Sequence, residues 1–189
     1  MGLLSKLLRK IIYNSNRRNA LSQLNYSSKT AKKKCMVANN VAIYNKNVTI
    51  GDRVFFYDGV IIWGKGKIII ENNVRIGFNT IIFSHDGSSI RIGENTAIAA
   101  NSYIIDTNHT TNQLDLTLDN PVGADDEYAP IVIGKNVWIA AHCVISKGVK
   151  IGDGAVVGAN SFVNKDIPEN AIVAGSPAKV IKYRGEKAK

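Results

Sequence analysis

From residue 48 onward one phrase recurs: VTIGDRV at 48, IIIENNV at 68, IRIGENT at 90, IVIGKNV at 131 and VKIGDGA at 149. Its most regular stretch sets Ile133, Ile139, Ile145, Ile151, Val157 and Val163 six residues apart. Four residues after each stands a small or branched side chain: Val137, Cys143, Val149, Ala155, Ser161 and Ile167. Two earlier runs, Ile70–Ile76–Ile82 and Ile92–Ile98–Ile104, keep the same period. A period of six matches neither the 3.6 of a helix nor the 2 of a simple strand. It predicts a coil of very short strands, with one side chain per hexad filling a narrow interior and three hexads closing a triangular turn of about 18 residues. The expected fold class is therefore all-β, a parallel β-helix solenoid. The period alone leaves its handedness open.

The coil is interrupted twice. Ile82 and Ile92 are ten residues apart, so a small bulge is expected at 84–89, around SHDGSS. Ile104 and Ile133 are 29 apart, and the segment 106–130, DTNHTTNQLDLTLDNPVGADDEYAP, is polar and acidic and lacks aliphatics in register. It reads as a long excursion, and long loops on rigid scaffolds are where function concentrates.

Charge separates the ends of the chain. Of 189 residues, the first 34 carry nine basic side chains and no acid, which accounts for the whole formal charge of +9; the remainder is neutral. Within this arm Leu3, Leu4, Leu7, Leu8, Ile11 and Ile12 recur at helical spacing between Lys6, Arg9 and Lys10, predicting a short basic amphipathic helix. Such a helix either packs on protein or lies on an anionic bilayer as a peripheral membrane contact. No aromatic-interleaved basic groove appears in the body, which argues against nucleic acid. No apolar run is long enough to span a membrane, and the basic residues interrupt any signal-peptide pattern. The expected organisation is a basic helical arm (1–34), a β-helix domain (35–167) and a C-terminal cap and tail (168–189). Two cysteines make neither a disulfide framework nor a C-x-x-C pair. Three histidines leave little room for a histidine-built zinc site, so no metal is expected.

Over residues 48–184 the chain resembles the hexapeptide-repeat acyltransferases, in particular the maltose, galactoside and polysaccharide O-acetyltransferases. The resemblance rests on IGKNVWIAAHCVI, on GVKIGDGAVVGANSFVNKDIPENAIVAGSPAKVIKYR, and on the looped-out D-x-x-H before them. It implies a left-handed β-helix, a homotrimer with active sites between subunits, acetyl-CoA as donor, a sugar or cell-envelope glycan precursor as acceptor, and a cytoplasmic location, with the arm at the inner face of the membrane if it binds lipid.

Acetyl transfer to a hydroxyl needs a base for the hydroxyl proton, donors for the oxyanion and a thiol to leave. Histidine is the natural base near neutral pH. His109, at the root of the excursion, matches the family's catalytic histidine. His85 and Asp86, in the smaller bulge, and Asp106, three residues before His109, are candidate acceptor contacts; Asp106 could instead set the imidazole tautomer, and any of the three could simply form turns. His142 is expected on the coil surface, and Cys143 in the core.

The donor site follows from the resemblance. Trp138 marks the hexad whose Ala141 matches a backbone contact to the thioester end, and Ala159 matches a contact along the pantetheine arm. Asn164 and Lys165 match a Thr-Lys pair near the nucleotide. Lys179 and Lys182 match basic positions near the phosphates, where lysine supplies charge but not the bidentate fork of arginine. Three other readings compete: N-acetylation of an amino sugar, a non-catalytic solenoid scaffold, and a zinc lyase, which lacks its histidine pair here.

Overall fold

The computed structural model describes residues 35–38, 40–110 and 126–186, and in it the hexads wind into six stacked rungs of a triangular prism. The first rung holds β1 (Met36–Val37), β2 (Ala42–Ile43) and β3 (Val48–Ile50). The second holds β4 (Phe55–Phe56), β5 (Ile61–Gly64) and β6 (Lys67–Ile70). The third holds β7 (Arg75–Ile76), β8 (Ile81–Ser84) and β9 (Ser89–Ile92). In the fourth, β10 (Ala97–Ile98) and β11 (Tyr103–Ile105) are followed by an excursion whose base is β12 (Thr107–Asn108) and β13 (Glu127–Tyr128); β14 (Ile131–Ile133) then completes the rung. The fifth holds β15 (Trp138–Ile139), β16 (Val144–Ile145) and β17 (Lys150–Ile151). The sixth holds β18 (Val156–Val157) and β19 (Phe162–Val163), and closes with an isolated parallel bridge from Ile167 to Ile151. A terminal hairpin of β20 (Ala171–Gly175) and β21 (Ala178–Tyr183) caps the stack.

Three parallel sheets form the prism faces. Face A runs β1-β4-β7-β10-β15-β18-β20, with β21 added antiparallel at its edge; face B runs β2-β5-β8-β11-β16-β19; face C runs β3-β6-β9-β14-β17. The register explains the period. Each strand puts one residue inward, and identical positions stack on one another: Ile76 on Ile98 on Ile139 on Val157 in face A, Ile62 on Ile82 on Ile104 on Ile145 in face B, Ile70 on Ile92 on Ile133 on Ile151 in face C. All of these side chains are buried, and together they form one continuous core. Burying each contributes about 1.5–3 kcal/mol against leaving it exposed. Strands this short survive because their backbone groups bond to the rungs stacked above and below.

The offset between stacked partners locates the irregularity. It is 18 residues from Ile139 to Val157, 20 from Phe56 to Ile76, 22 from Ile76 to Ile98 and 41 from Ile98 to Ile139. From face A to face B, and from face C to face A, the inward residues stay six apart on every rung. All extra residues enter at one corner, between faces B and C. The bulge expected at 84–89 and the expected excursion at 106–130 are thus two storeys of one corner. The arm 1–34, with its expected helix, and the middle of the excursion, 111–125, lie outside the described residues.

The other two corners use left-handed backbone. At the corner between A and B, Asn79, Asn101, His142 and Asn160 adopt φ of 54° to 59°. Between C and A, Arg53, Asn73, Asn95, Asn136 and Asn170 take φ of 54° to 60°. Asparagine tolerates this region better than most residues, and histidine is also enriched there. The side chains form ladders: Asn73 Nδ2 donates to Asn95 Oδ1 at 2.9 Å and Asn95 Nδ2 to Asn136 Oδ1 at 3.2 Å.

Candidate functional site

His109 stands just after β12, at the B/C corner of the fourth rung. β12 pairs antiparallel with β13, so Thr107 faces Tyr128 and Asn108 faces Glu127. This two-stranded neck brings the chain back beside its exit. Asp126, the residue before β13, therefore meets His109: Nδ1 lies 2.7 Å from Asp126 Oδ1. The histidine side chain is 62% exposed and the aspartate side chain 19%. In the tautomer protonated at Nδ1, the imidazole donates to Asp126 and presents Nε2 as a lone-pair base. Nε2 has no partner among the described residues. Lys147, from the fifth rung, bonds Glu127 at 2.9 Å and ties the neck to the coil from the other side.

Asp106 is not at the surface. It is fully buried, and its two carboxylate oxygens are taken: the Ser84 hydroxyl donates to Oδ2 at 2.6 Å and the His85 backbone N–H to Oδ1 at 2.7 Å. It presents no oxygen to an acceptor, and Asp126 rather than Asp106 accompanies the His109 imidazole. The expectation of acceptor contact or tautomer control at Asp106 is corrected accordingly. Its backbone carbonyl accepts from the Ala129 N–H at 3.0 Å, so Asp106 holds both the corner below and the return of the excursion. Tight packing continues down this corner. A Cβ on Gly66 would strike the His85 carbonyl oxygen and the Ser84 hydroxyl, and Asn45 Nδ2 donates to the Gly66 carbonyl at 2.9 Å.

His85 is half-buried and lies one rung before His109 at the same corner; Asp86 beside it is exposed. The His85 ring stacks on Tyr128, with centroids 4.5 Å apart and planes at 16°. His142, by contrast, occupies an exposed left-handed position on the Asn ladder, at the A/B corner. Cys143 is wholly buried; burial pushes its thiol pKa up, and its Sγ lies 3.2 Å from the Gly158 carbonyl. A protonated, enclosed thiol is a core residue and not a nucleophile.

The residues expected on the donor side divide between corners. Ala141 and Ala159 sit on consecutive rungs of the A/B corner, where the Asn160 N–H donates to the Ala141 carbonyl at 3.0 Å. The N–H groups of Ala141 and Ala159 donate to no described residue, so both are available to a ligand. The line continues into the cap: Lys179 pairs with Ala174, and the neighbouring Gly175 N–H donates to Ser161 Oγ of the same corner at 3.2 Å. Lys182 faces Ile172 further along the hairpin. Trp138 projects from face A at 55% exposure. Asn164 and Lys165 follow β19, at the B/C corner, two rungs beyond His109. A single chain therefore gathers an acid–base corner and, separately, a corner of free amides leading to lysines. One face lies between them, six residues wide, at most about 20 Å of extended chain.

Asp126 and Tyr128 were not singled out in the sequence. Both lie in the acidic DDEYAP stretch that ends the excursion, and only the antiparallel neck shows that its end returns to its beginning. Among the described residues no group of three or more histidine, cysteine or acidic side chains is placed to hold a metal ion.

Comparison with known proteins bears on the fold and the family. The bacterial transferase hexapeptide (six repeats) family matches residues 130–165, and the hexapeptide repeat of succinyl-transferase matches residues 67–105. Galactoside O-acetyltransferase of Escherichia coli K12 is 34% identical over 87% of this chain and 74% of its own length. The lipopolysaccharide biosynthesis O-acetyl transferase WbbJ of the same organism, itself named as putative, is 36% identical over 67% of this chain and 66% of its own length. Among solved structures, the N-acyltransferase AntD of Bacillus cereus, as a variant in complex with dTDP-4-amino-4,6-dideoxyglucose and coenzyme A, superposes with a TM-score of 0.77 over 89% of each chain, at 23% identity. That likeness shows the shared solenoid. With its hexads and its galactoside O-acetyltransferase relative, the chain belongs to the hexapeptide-repeat acyltransferases.

Proposed function

We propose that the protein transfers acetyl from acetyl-CoA to a hydroxyl of a sugar or glycan precursor, with His109 as general base. The observation that carries this reading is the exposed His109 imidazole anchored through Nδ1 to Asp126, with Nε2 unoccupied among the described residues. His109 Nε2 takes the hydroxyl proton as the acceptor oxygen attacks the thioester carbonyl. The Ala141 N–H, matched by the family resemblance to the thioester end, steadies the oxyanion of the tetrahedral intermediate. His109 then returns the proton to the departing sulfur, leaving an acetyl ester and free coenzyme A. Asp126 keeps the imidazole in the productive tautomer and stabilises the transient imidazolium. Asp86 and the edge of His85, one rung below, are placed to receive sugar hydroxyls. Ala159, Asn164, Lys165, Lys179 and Lys182 bind the donor, its phosphates meeting the lysines.

The separation of the two corners supports a homotrimer with shared sites. Face B carries an outward aromatic column, Tyr44, Trp63 and Phe83, with the Trp63 and Phe83 rings 4.5 Å apart; Trp63 is 45% exposed and Tyr44 68%. Copies turned so that their B faces meet on a common axis set the B/C corner of one chain against the A/B corner of the next. His109 of one chain would then work on a donor held by its neighbour. Trp63→Glu should dissociate the oligomer in sedimentation and abolish turnover together. The arm 1–34 is assigned either to capping this assembly or to an anionic membrane surface, decided by vesicle flotation with and without it.

The direct test is an acceptor screen with acetyl-CoA, following free thiol and product mass. An amino sugar bearing both groups separates O- from N-acetylation. No thiol release with any sugar, under conditions where acetyl-CoA binds, would sink the reading.

A further inference from the structure

Tyr128 has no part in the chemistry above, yet it joins the two storeys of the B/C corner. It is the last residue of β13, two residues after Asp126, and is 49% exposed. Its ring lies flat on His85 and its phenol end close over Gly87, which has φ of 86° and whose added Cβ would meet the Tyr128 hydroxyl at 3.3 Å and the nearest ring carbons at 3.5 Å. His85 is itself fixed at its backbone by Asp106, at its ring Nδ1 by the Asp86 carbonyl at 2.5 Å. The third-rung corner is thus a rigid platform. The stretch bearing Asp126 is tied to the fourth rung by the β12–β13 neck and the Ala129–Asp106 bond, and to the third rung by this one ring stack.

We infer that Tyr128 is a positioning residue: by stacking on the His85 platform it sets the return strand of the excursion so that Asp126 meets the Nδ1 of His109. It acts through Asp126 and touches neither donor nor acceptor. The proposal rests on the reading of His109 as the base for its kinetic consequences, while its structural content stands apart from that reading. Aromatic stacking depends on the ring and not on the hydroxyl. Displacing a base from its working geometry by about 1 Å can cost on the order of a hundredfold in rate.

Tyr128→Ala should lower kcat about tenfold to a hundredfold, with the KM for acetyl-CoA unchanged and an unfolding midpoint within about 2 °C of wild type. Tyr128→Phe should retain wild-type turnover. In an Asp126→Asn background, Tyr128→Ala should cost little more, because both changes act through the same contact. A merely structural tyrosine would give additive losses. The readout independent of turnover is the His109 ring signal in ¹H–¹³C NMR, assigned with His109→Asn. It should shift or broaden in Tyr128→Ala and stay in place in Tyr128→Phe. An unmoved His109 signal in Tyr128→Ala overturns the inference. So does a Tyr128→Phe variant as slow as the alanine one, which would put the hydroxyl on the substrate. If wild type transfers no acetyl group but the NMR signals behave as expected, the function reading fails and the clasp stands.

Discussion

Two corners of the same prism solve the same geometric problem in opposite ways. Between faces A and B the chain turns in six residues on every rung, with Asn79, Asn101 and Asn160 paying no more than a left-handed backbone costs an asparagine. Between faces B and C the turn has no such ladder through its first four rungs, and its length varies from a few residues to the whole excursion. The regular corner is made of stacking that each rung repeats. The irregular corner is held by single contacts that occur once: Asp106 to Ser84 and His85, Tyr128 on His85, Lys147 to Glu127. A solenoid distributes its stability among neighbouring rungs, so one corner can be given over to unique, chemically useful side chains while the other faces keep the coil closed.

The sharpest way to break the comparison is at His109. His109→Ala should lower kcat by roughly 10²–10⁴ while leaving acetyl-CoA binding and the unfolding midpoint close to wild type. Near-normal turnover at saturating acceptor would remove His109 from catalysis. A large loss of stability would show that the irregular corner supports the coil after all.

The converse change is Ile104→Ala, fully buried in face B on the very rung that launches the excursion. It should destabilise the protein by about 2–5 kcal/mol in urea unfolding, through lost transfer energy and a cavity. At the ladder, Asn95→Ala should cost about 1–3 kcal/mol: it puts alanine in the left-handed region and removes the bonds to Asn73 and Asn136. Asn95→Gly should recover the backbone part. If alanine and glycine unfold alike, the side-chain bonds and not the φ angle carry the corner.

The donor side sharpens the comparison with a smaller effect. Lys179→Ala with Lys182→Ala should raise the KM for acetyl-CoA several-fold and change kcat less, since phosphate contacts are equal in ground and transition states. Dephospho-coenzyme A donors should narrow the gap if either lysine meets the 3′-phosphate. An unchanged KM takes both lysines out of the donor site.

The period of six displays the coil, its inward columns and both interruptions in the sequence itself, because in a stacked solenoid local spacing and long-range contact are the same thing. Ile133, Ile139 and Ile145 announce their faces by sequence offset alone. The place of His109 was legible for a related reason, since it stands where the period fails; its role as base is proposed. The site's remaining parts were not. Asp126 is 17 residues from His109, across a stretch with no period, and only antiparallel pairing of Thr107 and Asn108 with Tyr128 and Glu127 closes that distance. Asp106 misled for the opposite reason: near in sequence to His109, it points into the corner, where a buried serine and a backbone amide claim it.

His142 provides the finest test. It holds φ of 59° between Asn101 and Asn160 on the A/B corner, where its N–H donates to the Ala100 carbonyl at 3.0 Å. Its side chain is the ladder's one departure from asparagine or glycine on the rungs from Asn79 to Asn160. Yet it lies beside Ala141, whose amide is proposed to meet the thioester end. If the regular corner contributes backbone and nothing else, the identity of this side chain is immaterial to chemistry. His142→Asn should then leave kcat and the acetyl-CoA KM unchanged, and should alter stability by no more than about 0.5 kcal/mol, since asparagine accepts the same backbone at no greater cost. A tenfold fall in kcat would instead place the imidazole at the reacting group of a neighbouring chain's site, and the division between a structural corner and a chemical one would no longer hold.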